Sequence, residues 1–134
     1  APCNNRLSAL TELREAALLQ ALRAGPGVWP AEQALHAATR GGAEALGLDD
    51  VGSIRPGMRA DLVLFDLDVP ELDPGGDPVA KLVYSADERH IRQVWLGGER
   101  VVDDGALTAV DPRAVAATAR QQRAAVLQRA GLRA

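Results

Sequence analysis

Two histidines, one cysteine and a cluster of carboxylates are the side chains with the most chemistry to offer: His36, His90, Cys3, and Asp66, Asp68, Glu71, Asp73 and Asp77. A zinc centre needs three or four converging donors, and the chain has neither an H-x-H pair nor a third histidine. His36, one step off an apolar helical face, and His90, behind Asp87-Glu88-Arg89 and ahead of a strand, are each expected as surface or interface histidines. Cys3 has no neighbouring base in sequence, so a nucleophilic role is not expected of it. A single cysteine forms no intrachain disulfide and no cysteine zinc cluster, which fits a reducing, cytoplasmic setting. The acidic run is interrupted by Leu67, Val69 and Leu72 and lacks the ligand spacing and glycine of a calcium loop. Gly41-Gly42 lacks the strand–loop–helix surroundings of a phosphate cradle, so close packing is its expected use.

These residues must be held by elements legible in the apolar periodicity. Leu7, Leu10, Leu13, Ala17, Leu18, Ala21 and Leu22 fall at helical spacing, with Asn4 and Asn5 as the expected cap and Gly25-Pro26-Gly27 as the stop. Pro30 suits the first position of a second helix that runs to Gly47, with Gly41-Gly42 expected to divide it in two. The period then changes. A turn at Arg55-Pro56-Gly57-Met58, of type II by its Pro-Gly centre, leads into Leu62 to Phe65, a short continuous apolar run as in a strand covered on both faces. Asp61 precedes it as a buried or edge carboxylate. A short helix or turn is expected at Val79 to Tyr84. Ile91 to Leu96, Gly97-Gly98 and Glu99 to Val102 read as a hairpin with a primed turn. Asp104-Gly105 is a second turn, with a last strand expected over Leu107 to Val110. Asp111-Pro112 opens a final helix whose arginines crowd towards its C-terminal half.

The totals exclude several classes. With 134 residues, 47% of them hydrophobic and 25% charged, the chain suits one soluble domain and does not read as disordered. Its net charge of −3 gives no basic footprint for nucleic acid. No charged segment followed by an apolar run marks a signal peptide, and no apolar run is long enough for a membrane span. Helices, then a few strands, then a helix leave amphipathic faces without partners, so the fold is expected to be part of something larger.

Three passages carry a resemblance. Ala37-Ala38-Thr39-Arg40-Gly41-Gly42-Ala43-Glu44-Ala45-Leu46-Gly47-Leu48, followed by Val51-Gly52-Ser53-Ile54-Arg55-Pro56-Gly57-Met58-Arg59-Ala60-Asp61-Leu62-Val63, resembles a passage of the amidohydrolase superfamily. Asp77-Pro78 to Ser85, and Val94-Trp95-Leu96-Gly97-Gly98-Glu99-Arg100-Val101-Val102 down to Asp104-Gly105, resembles the next one, and Pro2 to Leu7 resembles the segment after the last barrel strand. The subgroup resembled holds S-adenosylhomocysteine and 5′-deoxyadenosine deaminases, 8-oxoguanine deaminases and triazine chlorohydrolases.

The resemblance implies an α/β fold. Residues 1–48 would be the last helices of a (β/α)8 metal-dependent hydrolase barrel, and 49–110 the C-terminal share of a small β-sandwich. Residues 111–134 would form a terminal helix packed back on the barrel. It implies a divalent metal, zinc or iron, in the intact enzyme, held by histidines and an aspartate that fall outside this sequence; the aspartate would lie roughly two positions before Ala1. It implies hydrolysis of a C–N or C–Cl bond on a purine-, pyrimidine- or triazine-like ring, deamination above all, with this chain inactive alone and without catalytic or metal residues of its own. Asn4 and Asn5 would lie at the edge of the substrate pocket. The partners implied are the N-terminal barrel portion, a heterocyclic substrate and a second copy in a homo-oligomer. The alternative is a non-catalytic domain or split-enzyme subunit that binds a partner chain.

Overall fold

The computed structural model describes residues 7–72 and 75–132. Helix α1, Ala9–Ala24, is capped by Ser8, whose Oγ accepts the Thr11 N–H at 3.0 Å. This corrects the expected cap at Asn4 and Asn5, which lie outside the described residues. Of the apolar stripe only Leu13 and Ala17 are buried; Leu18 and Leu22 are exposed.

Helix α2, Ala31–His36, begins one residue later than expected. Pro30 is its cap, and the Pro30 carbonyl accepts from the Gln33 and Ala34 N–H groups. The helix does not break at Gly41-Gly42. It widens into a π-helical turn at Ala37–Gly41 and continues as α3, Gly42–Ala45, with both glycines at helical φ. The wider turn brings the His36 carbonyl close to Gly41, where a Cβ would stand 3.3 Å from it, so the missing side chain relieves crowding and does not stop the helix. The end comes at Gly47: its N–H reaches Glu44 O, and the Leu48 N–H reaches Ala43 O, the paired bonds of a Schellman closure.

Helix α4, Pro78–Tyr84, has Asp77 as its cap, with Oδ2 accepting the Ala80 N–H at 2.7 Å. Leu13 and Ala17 of α1, Ala31 and Ala34 of α2 and Val83 of α4 form the core, with Trp29, Leu35, Val79 and Ala80 packed against it. The small alanines let three helices approach closely, and among the described residues only Val83 is a large, fully buried side chain.

The sheet is antiparallel with strand order β1-β2-β3-β4: Leu62–Phe65, Ile91–Leu96, Glu99–Asp103 and Ala106–Leu107. Gly97 and Gly98, at φ 58° and 87°, form the two-residue turn of the β2–β3 hairpin, where both central residues need positive φ. The turn at Asp104-Gly105 pairs Asp103 with Ala106, so β4 starts before the expected Leu107 and ends after two residues. Among the described residues, strand β1 is an edge strand paired only with β2. Its Val63 and Leu64 are 49% and 50% exposed, so the expectation of a strand covered on both faces fails within this chain. Helix α5, Pro112–Arg129, is capped by Asp111 through the Arg113 N–H at 2.8 Å and buries no residue.

Candidate functional site

The helices and the sheet meet at a short segment, Ala86 to His90, that contains the 3₁₀ turn Glu88–His90. The buried Ser8 donates its hydroxyl proton to Glu88 Oε1 while capping α1. Arg14 Nη2 donates to the Ala86 carbonyl at 2.5 Å. On the sheet side, the Asp66 N–H reaches the His90 carbonyl at 2.7 Å, and Arg92 Nη2 donates to Asp66 Oδ2 at 2.7 Å. The Arg92 guanidinium holds the Asp66 carboxyl below the usual carboxylate range, helped by the Asp68 N–H. Hydrogen bonds from the Arg89 side chain and backbone push Asp87 down to about 2.

His90 is 4% exposed, which corrects its expected place on the surface. Its Nδ1 accepts the Asp87 N–H at 3.0 Å, and Nε2 lies 3.5 Å from Glu71 Oε1 without forming a hydrogen bond. His36 is exposed, as expected. Cys3, Asn4, Asn5 and Asp73 lie outside the described residues. Asp61 is an edge carboxylate that anchors the hairpin, its Oδ1 accepting the Gly97 N–H at 2.6 Å. Asp66 and Asp77 are spent on Arg92 and on the α4 cap. Among the described residues, no three His, Cys, Asp or Glu side chains gather in a way that could hold a metal ion. The described residues therefore do not fit a metal centre.

What the described residues do offer is an open apolar groove of about 540 Å³ between α1, the α2–π segment and β1, lined by Leu10, Leu13, Leu35, Leu62, Phe65 and Ile91 among others. Strand β1, whose Leu62, Val63 and Phe65 line the groove, leaves Val63 and Leu64 about half exposed, and α5 buries no residue. Sequence reasoning missed the Ala86–His90 junction. The one signal for it was an Asp followed three residues later by a side chain that accepts a hydrogen bond, the spacing of a capping box.

An α/β unit with an open apolar groove, an exposed strand edge and a helix that buries no residue leaves surface for a further body of protein to cover. Residues 1–101 match the model of the amidohydrolase family, and the chain belongs to that family. It is 41% identical over 123 residues to a 5-methylthioadenosine/S-adenosylhomocysteine deaminase of Pelotomaculum thermopropionicum, a match that covers 91% of this chain and 28% of that protein. The chain thus spans less than a third of the length of the curated relatives it matches. Among solved structures, an adenosine deaminase of Xanthomonas campestris with bound zinc superposes at a TM-score of 0.87 and 37% identity, over 93% of this chain and 29% of that one. A zinc-bound atrazine chlorohydrolase of Arthrobacter aurescens matches 81% of this chain and 25% of its own at 0.73 and 28% identity. No helix among the described residues is long and apolar enough to cross a membrane.

Proposed function

We propose that this chain is the C-terminal share of a metal-dependent aminohydrolase that replaces the exocyclic amine of a purine-type ring with the oxygen of water and releases ammonia. One observation carries the reading. The chain adopts, over 93% of its length, the backbone arrangement of a zinc-bound deaminase, although α5 buries no residue and the groove stands open within the chain itself. A helix that buries none of its own residues is explained by a body of protein that lies against it in the intact enzyme.

In this reading residues 1–48 are the last barrel helices, 49–110 the C-terminal share of the sandwich and 111–134 the closing helix. Asn4 and Asn5 border the substrate pocket. The N-terminal barrel portion brings the donors for zinc or iron, and the chain alone is inactive. Homo-oligomer formation and a cytoplasmic setting complete the proposal.

The test is a chimera in which this chain replaces the matching C-terminal segment of the Pelotomaculum deaminase. Ammonia release is expected from at least one 6-aminopurine nucleoside in a panel, with none from this chain alone. A folded chimera that is inert across the panel, beside an active parent, would sink the reading. Chloride release from a chlorotriazine without any deamination would shift the substrate class to that of the chlorohydrolase relative.

A further inference from the structure

We propose that His90 makes the junction between the helices and the sheet sensitive to protons. In a capping box the third helical residue is ordinarily Glu or Gln, whose side chain accepts the N–H of the cap residue. Here an imidazole takes that place: His90 Nδ1 accepts the Asp87 N–H at 3.0 Å, while Asp87 accepts in return. With Nδ1 accepting the shorter of its two contacts, the neutral ring carries its proton on Nε2; the Asp87 carbonyl oxygen, 3.3 Å from Nδ1, is the acceptor that the Nδ1–H tautomer would use. Nε2 is buried, and the nearest carboxylate oxygen given for it is Glu71 Oε1, 3.5 Å away on the 3₁₀ turn Pro70–Leu72.

Protonation of the ring puts a second donor at Nδ1, facing the Asp87 N–H. The cap bond cannot survive two opposed donors. The charged ring has other partners at hand: Asp87 Oδ1 at 3.2 Å from Nδ1, and Glu71 from Nε2. The remaining charged groups that face it are Asp66 at the end of β1, bound by Arg92, and Arg89 on its own turn, bound to Asp87. The bond at the cap is therefore exchanged for ion pairs with Asp87 and Glu71. The same turn carries Glu88, which holds Ser8 of α1, and the His90 carbonyl, which holds Asp66 N–H. Repacking the cap thus reaches both ties of the junction.

The experiment is an NMR titration of the full chain from pH 8 to pH 5, following the His90 ring nitrogens and the Asp87 amide. The Asp87 carboxyl, near 2, stays ionised throughout and leaves the amide free to report on the ring. The ring is expected to start as the Nε2–H tautomer, and the Asp87 amide proton to move upfield with the same midpoint as the ring. His90→Gln restores an ordinary capping box, and its Asp87 amide is expected to hold still over this range. An Nδ1–H tautomer at pH 8, an Asp87 amide indifferent to the ring, or an equal movement in His90→Gln overturns the proposal. If His90→Gln does not fold, the tautomer and the shared midpoint in the unsubstituted chain decide the matter alone.

Discussion

Gly52→Ala is expected to destabilise the chain by about 2–4 kcal/mol, the sum of a strained left-handed residue and a forced backbone shift. Gly52 has φ +82°, and a Cβ there would stand 3.0 Å from Arg40 Cα and from the Thr39 carbonyl oxygen. Both contacts are backbone, on the π-helical turn, so neither can swing aside. Arg40 holds the same seam from the other direction, with Nη1 donating to the Asp49 and Val51 carbonyls and Nε to Glu44. Gly27 is the control, since it shares φ +82° but has nothing within 4 Å of an added Cβ. Gly27→Ala should cost only about 1 kcal/mol, the conformational part. Urea denaturation of the two variants separates the terms, and equal losses would show that the approach of Gly52 to the π turn is not tight.

Val83→Ala carries the second large effect. Val83 is 0% exposed and joins α4 to the alanines of α1 and α2. Two methyl groups lost, with the void they leave among small neighbours, amount to about 2–3 kcal/mol. Val126→Ala on α5 makes the informative contrast. Val126 is 51% exposed, so its truncation should change the stability of this chain by less than about 0.5 kcal/mol. Within the chimera, where α5 has a surface to lie on, the same substitution should become measurably costly. Thermal denaturation of both proteins tests this, and a Val126→Ala change that stays silent in the folded chimera would count against a covered α5.

Local chemistry made much of this fold readable. Pro56-Gly57 forms the expected turn, with the Met58 N–H on the Arg55 carbonyl at 3.1 Å and Gly57 at φ 88°. Gly97-Gly98 and Asp111-Pro112 likewise act through their own backbone preferences, and the structure follows them. The misses have a common cause, which is that distant partners decide. Asn4, Asn5 and Ser8 are all good caps, and Ser8 is tied to Glu88, 80 positions away. Gly41-Gly42 reads as a break by propensity, yet a widened turn accommodates it where side chains would crowd. His90 is buried with its ring beside Glu71 of the Pro70–Leu72 turn, and periodicity along the chain carries no trace of that. The site was legible mainly as a resemblance, since among the described residues no three His, Cys, Asp or Glu side chains gather in a way that could hold a metal ion.

The central claim is that this chain is scaffold for a metal site whose donors lie elsewhere in the intact enzyme. Elemental analysis after incubation with zinc and removal of free metal tests it most directly, on the chain alone and on the chimera side by side. The expected result is zinc in the chimera at a level matching the parent deaminase, and none retained by the chain alone. Zinc held stoichiometrically by the chain alone would contradict the claim and would make its own His36, His90 and carboxylates the ligands.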